Sequence, residues 1–158
     1  MSPRRTPPWV VLLAMAAITY ALDRATKLWA ESTLPGRPPI VVIPHVLDLG
    51  YTTNSGGAFG LGESAWWIFA IASIAVSIAI LVSAFRLRRV LSAVALGLIL
   101  GGALGNLTDR VIHGDGLLRG HVVDFVDFHV WPVFNLADTC IVVGALLLAF
   151  FAVHGEEG

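Results

Sequence analysis

Two aspartates late in the chain, Asp124 and Asp138, are the residues best placed for chemistry. Asp138 closes the run Phe134-Asn-Leu-Ala-Asp138, where Asn135 and Asp138 are three apart and share a helical face. Asp124 lies in Val122-Val-Asp-Phe-Val-Asp-Phe128. In an extended strand Val122, Asp124 and Val126 point one way and Val123, Phe125 and Asp127 the other, so one of the two acids faces inward. A strand, a turn at Trp131-Pro132 and a returning helix can bring Asp124 and Asp138 together. Two carboxylates at close range cannot both ionise and come to share one proton. The charged member removes a proton from water while the neutral one donates to the carbonyl oxygen of an amide. Such a pair hydrolyses a peptide bond with no metal and no cofactor. The same spacing also fits a structural account, with Asp124 capping a turn and Asp138 bonded to Asn135 or to backbone.

These residues sit in a chain built for lipid. Of its 158 residues 56% are hydrophobic and only 13% charged, too few charges for the wet surface of a soluble domain. The net charge of -1 offers nothing to nucleic acid. The length suits a single domain, residues 1–158, and four stretches are long enough to cross about 30 Å of hydrocarbon. They run from about Trp9 to Trp29, Ala65 to Phe85, Val90 to Thr108 and Val133 to Val153. The first follows Arg4 and Arg5 as in a signal peptide, but no small-x-small cleavage site follows and its retention is expected. Arg86, Arg88 and Arg89 crowd the short link between spans two and three, whereas the segment from Glu31 to Ser64 holds only Arg37. That distribution places both termini in the cytoplasm and the two longer loops outside. Within the first of those loops Ile40–Ile43 and Val46–Thr53 read as short strands, forming a small sheet on the bilayer surface. Cys140 is the single cysteine and forms no internal disulfide.

Other polar residues at membrane depth narrow the site. Span three carries Gly97, Gly101 and Gly105, a smooth stripe that lets a neighbouring helix approach closely. Its end reads Asn106-Leu-Thr-Asp109-Arg110, with Asn106, Asp109 and Arg110 along one flank. Span one ends with Asp23, Arg24 and Lys27. A metal site from His121, Asp124, Asp127 and His129 is the first rival, but strand alternation splits those side chains and His-Glu-x-x-His is absent. A proton-relaying transporter through Asp23 and Asp138 is the second, and the lack of internal repeats argues against it.

Taken with these motifs, the chain resembles the lipoprotein signal peptidases (signal peptidase II) along essentially its whole length. Asp23 with Lys27, Asn54-Ser-Gly-Gly-Ala-Phe-Gly60, Gly101-Gly-Ala-Leu-Gly-Asn-Leu-Thr-Asp-Arg110, and the segments holding Asp124 and Asp138 match the family's motifs in order. The resemblance implies a mainly α membrane protein of four transmembrane helices with a small extracytoplasmic β-cradle. It implies an aspartyl endopeptidase of the bacterial plasma membrane, with Asp124 and Asp138 as the catalytic dyad near the outer face. Asn54, Asn106, Arg110 and Asn135 would bind or orient substrate, with Asp23 and Asp109 in support. The substrate would be a diacylglyceryl-prolipoprotein cut just before its lipidated cysteine. Membrane lipid and globomycin-type inhibitors would be further partners. Two departures stand out: Gly57 replaces the commoner alanine, and Gly114-Asp-Gly-Leu-Leu-Arg119 lengthens the link from Arg110 to Asp124, leaving the path of the 111–123 loop open.

Overall fold

A computed structural model describes residues 6–55, 66–114 and 116–154. Helix α1 spans Pro8–Thr33, opened by Pro8, whose missing N–H costs nothing in a first turn. Strands β1 (Ile40–Ile43) and β2 (Leu47–Asn54) follow, then α2 (Trp66–Ser83) with a 3-10 turn at Ala84–Arg86, and α3 (Val90–Ile112). Strand β3 (Val122–Asp127) and helix α4 (Leu136–His154) complete the chain. All four helices are long and apolar enough to cross a membrane. The fold is mainly helical with a small three-stranded antiparallel sheet, in the order β1-β2-β3.

Helix α3 is the centre, packed against α1, α4 and α2, while α2 and α4 scarcely touch one another. Its glycines explain the close approach. A Cβ on Gly101 would stand 2.6 Å from the Ala16 carbonyl oxygen of α1, and one on Gly102 would stand 2.6 Å from that of Ala137 on α4. The stripe expected at Gly97, Gly101 and Gly105 is thus the seat of α1. Gly101→Ala forces these backbones apart and should cost about 1–3 kcal/mol, as overpacking of a filled core does. Thermal unfolding in detergent measures it, and an unchanged midpoint would refute the close-packing account.

The sheet rests on the last turn of α1 through Val123, Phe125, Ala30 and Leu34, which form one buried cluster. Asp48 pairs with Asp127 and Thr52 with Asp124, with a bulge in between. Helix boundaries differ from expectation at the ends that carry polar residues. Helix α3 continues past Thr108 to Ile112 and so holds Asp109 and Arg110 inside its last turns. Helix α4 begins at Leu136 rather than Val133 because Phe134 is claimed by the sheet, where its N–H donates to the Val126 carbonyl at 3.1 Å. Of the Asn54–Gly60 turn, Asn54 and Ser55 are described; Gly57 and the rest of the box lie outside the described residues.

Candidate active site

Asn135 caps α4. The Asp138 N–H donates to Asn135 Oδ1 at 2.9 Å, and the Asn135 N–H points back to Asp138 Oδ2 at 3.4 Å, a reciprocal capping box. Asp138 therefore sits in the first turn of the helix, not well inside one starting at Val133 as the apolar run suggested. Its carboxylate gains there from the positive end of the helix dipole. The chain between β3 and α4 folds back on itself, since Phe125 and Val126 both donate to the Phe134 carbonyl, at 3.1 and 2.9 Å. That fold-back turns Asp124 and Asp138 toward one cavity.

Two asparagines hold the acids in place. Asn135, fully buried, directs Nδ2 to Asp124 Oδ1 at 2.7 Å and to the Val123 carbonyl at 3.2 Å. Asn106 donates from Nδ2 to Asp138 Oδ1 at 2.8 Å, and its own Oδ1 accepts from Lys27 Nζ at 2.8 Å. Asn54 supplies a further hydrogen bond to Asp124. A carboxyl so bonded would ordinarily stay acidic. Burial, and then the charge of Asp138, outweigh those bonds and the pull of Lys27, and push Asp124 up to about 7.

Beneath the asparagines lies a buried ion cluster. Lys27 Nζ is 3.0 Å from Asp23 Oδ2 and 2.8 Å from Asp109 Oδ2, and Arg24 pairs with the other oxygen of Asp109. Two acids and two bases cancel, which is the condition for keeping charges out of water. The cluster also reaches the backbone beside each inward acid. Asp109 Oδ2 accepts the Val123 N–H at 3.1 Å, and Asp23 Oδ1 accepts the Ala137 N–H at 3.0 Å. Val123 precedes Asp124 and Ala137 precedes Asp138. Gly105 makes room for this arrangement, since a Cβ there would stand 2.9 Å from Asp23 Cγ. Gly105→Ala should therefore displace Asp23 and lower activity more than stability. Parallel unfolding and turnover measurements would show it, and full activity would refute the close fit.

The cavity, about 320 Å³, has Asn54, Asn106, Arg110, Asp124 and Asp138 among its walls. Phe69 and Ser73 of α2 face Ile141 and Val142 of α4 across it. The Arg110 guanidinium lies 6.0 Å from the centre of the Phe69 ring and donates to the Gly120 carbonyl at 3.3 Å. Gly120 in turn donates its N–H to the Arg110 carbonyl at 2.9 Å, so the long loop closes back onto the end of α3.

Of the residues expected at a site, Asn54, Asn106, Arg110, Asp124 and Asp138 meet at the cavity. Asn135 stands behind them, and Asp23 and Asp109 lie in the ion cluster. The rival set disperses. His121 stacks on His113, and His129 pairs with Asp48 and Asp127 at the far edge of the sheet. Asp127, one third exposed, faces away from the cavity that Asp124 lines, as alternation requires. Sequence reasoning assigned no role to Arg24, Phe69 or Ser73, and took Lys27 only as part of a motif.

The family model for signal peptidase (SPase) II matches residues 15–154. The lipoprotein signal peptidase of Mycobacterium avium is 40% identical over 158 residues, 99% of this chain and 87% of that protein. That of Streptomyces griseus is 41% identical over 148 residues, 94% of this chain and 76% of its own. Two bacterial membrane enzymes solved by the in meso method superpose with TM-scores of 0.79 and 0.76, at 28% and 30% identity. Each covers 92% of this chain, matched over 89% and 93% of the respective structures. Such a bundle, with such relatives, is a multi-pass membrane aspartic peptidase. The chain belongs to the signal peptidase II family.

Proposed function

We propose that this protein, a single membrane peptidase domain, removes signal peptides from diacylglyceryl-modified prolipoproteins. It cuts just before the lipidated cysteine, using water activated between Asp124 and Asp138. The observation that carries this reading is that both carboxyls line one cavity and both accept from Asn135, Asp124 from its Nδ2 and Asp138 from its backbone N–H. In the reaction one carboxylate takes a proton from water and the other, protonated, donates to the scissile carbonyl oxygen. Asn106 and Asn135 hold the two acids, and Asn54 and Arg110 contact the peptide from the cavity wall. Asp23 and Asp109 support them from below. Phe69, Ile141 and Val142 offer the acyl chains an apolar wall between two helices that scarcely touch, open to membrane lipid. A globomycin-type cyclic peptide would compete for the same cavity. Arginines at the α2–α3 link set the orientation, with both termini cytoplasmic and the cavity near the outer face of a bacterial plasma membrane.

The test is a gel-mobility assay with purified enzyme in detergent, offered one precursor with and without its diacylglyceryl group. Cleavage of the lipidated form alone is expected; equal cleavage of both would remove the lipid from the recognition. The pH dependence follows from Asp124. With its carboxyl pushed up to about 7, the pair keeps its shared proton below that value and loses it above, when both acids ionise. Turnover should therefore fall as pH rises through about 7, and a profile flat from weakly acidic to alkaline pH would contradict the shared proton.

A further inference from the structure

Two carboxyls that share one proton divide the work, and the donors around them bear on how. Lys27 is the starting point. An ammonium group only donates, so the Asn106 amide must turn Oδ1 toward Lys27 Nζ, where Asn135 Nδ2 also donates at 3.3 Å. That leaves Asn106 Nδ2 to face Asp138 Oδ1, at 2.8 Å. The other oxygen of Asp138, Oδ2, faces the Asn135 backbone N–H at 3.4 Å, which also only donates. Both oxygens of Asp138 are thereby cast as acceptors, in the first turn of a helix whose dipole favours negative charge.

Asp124 is served differently. Its Oδ1 accepts from Asn135 Nδ2 at 2.7 Å, and Asn54 is a further partner. An asparagine side chain carries both a donor and an acceptor, so it can meet a carboxyl that is charged or one that bears a proton. Asp124 lies in β3, and a strand has little net dipole to favour charge. Of the nearby cations, Arg110 shares the cavity with both acids and favours charge on either. Lys27 alone is tied to one of them, Asp138, through a single amide. Behind Lys27 the charges of Asp23, Asp109 and Arg24 complete a neutral cluster, and α2 has no charged residue.

We propose, taking the precursor cleavage above as given, that Asp138 is the base and Asp124 the acid, and that Lys27 is a positioning residue that sets this division through Asn106. In the attack the Asp138 carboxylate takes a proton from water and the water oxygen bonds to the scissile carbonyl carbon. The carbonyl oxygen takes the proton of Asp124. In the collapse Asp138 passes its proton to the leaving nitrogen, the C–N bond breaks, and Asp124 recovers a proton from a hydroxyl of the intermediate. Each acid ends as it began.

The test is the pH profile of kcat/KM on a lipidated precursor in detergent. Its acid limb reports Asp138 taking up a proton, and its alkaline limb, at about 7, reports Asp124 losing one. Asn106→Leu removes a donor from Asp138 alone. The acid limb should then rise by about one pH unit, the scale of one hydrogen bond to a charged group, while the alkaline limb stays. With the roles exchanged, the alkaline limb would rise and the acid limb stay. Lys27→Met combined with Asp23→Asn, which keeps the cluster neutral, should also move the acid limb further than the alkaline one. A merely structural Lys27 would lower the rate at every pH and leave both limbs in place. Should one variant lose all turnover, the other decides. A moved alkaline limb, two fixed limbs, or total loss in both variants with the fold intact would overturn the division, since each variant retains both acids. Wild-type enzyme that leaves the precursor uncut would instead sink the peptidase reading.

Discussion

Asp138→Asn is expected to lower kcat/KM on a lipidated precursor by about 10⁴-fold, the upper end of what general acid–base catalysis contributes. Asp124→Asn should do the same, and the double variant should be little worse than either, because the two groups act as a unit. Both changes preserve size and keep one of the two acceptor oxygens. An asparagine at 138 still offers an oxygen to the Asn135 N–H, and the helix cap itself uses the Asp138 backbone N–H. Loss of activity should therefore come without loss of the fold, as read by unfolding temperature in detergent. Wild-type turnover in either single variant would end the two-carboxylate account.

The largest loss of stability is expected from Lys27→Met. Lys27 is fully buried and contacts Asp23, Asp109 and Asn106 at once. Its removal leaves two buried carboxylates facing Arg24 alone, and breaking such a pairing costs about 3–5 kcal/mol. Activity should fall with it, since Asn106 loses the donor that fixes its amide against Asp138. The added change Asp23→Asn restores neutrality while keeping an oxygen for the Ala137 N–H. It should recover much of the lost stability. A double variant no more stable than Lys27→Met would show that charge balance is not what the cluster provides.

How far these arrangements are legible beforehand depends on their range. The Asp23–Lys27 pair is visible at four-residue spacing on one helix, and the Asn135–Asp138 box at three. Their partners across the bundle are not, because no local pattern says that Asp109 of α3 meets Arg24 of α1. Arg24 counts, on sequence alone, merely as one more charge at the end of span one. The depth of Asp138 is misjudged for a similar reason. Val133 and Phe134 look like helix, and only pairing with β3 shows that Phe134 belongs to the sheet. Phe69 and Ser73 give no signal at all, since a helix without charges has no pattern to mark the face that lines a cavity.

The backbone bonds from Asp109 to Val123 and from Asp23 to Ala137 have a mechanical consequence. Both acids hang from one network of bonds anchored on α1 and α3, and α2 supplies none of those bonds. A shift of the wall formed by Phe69 and Ser73 to seat a bulky acyl chain would break none of them. The spacing of the reacting pair stays as it was, so admitting a guest and performing the reaction are duties of different helices.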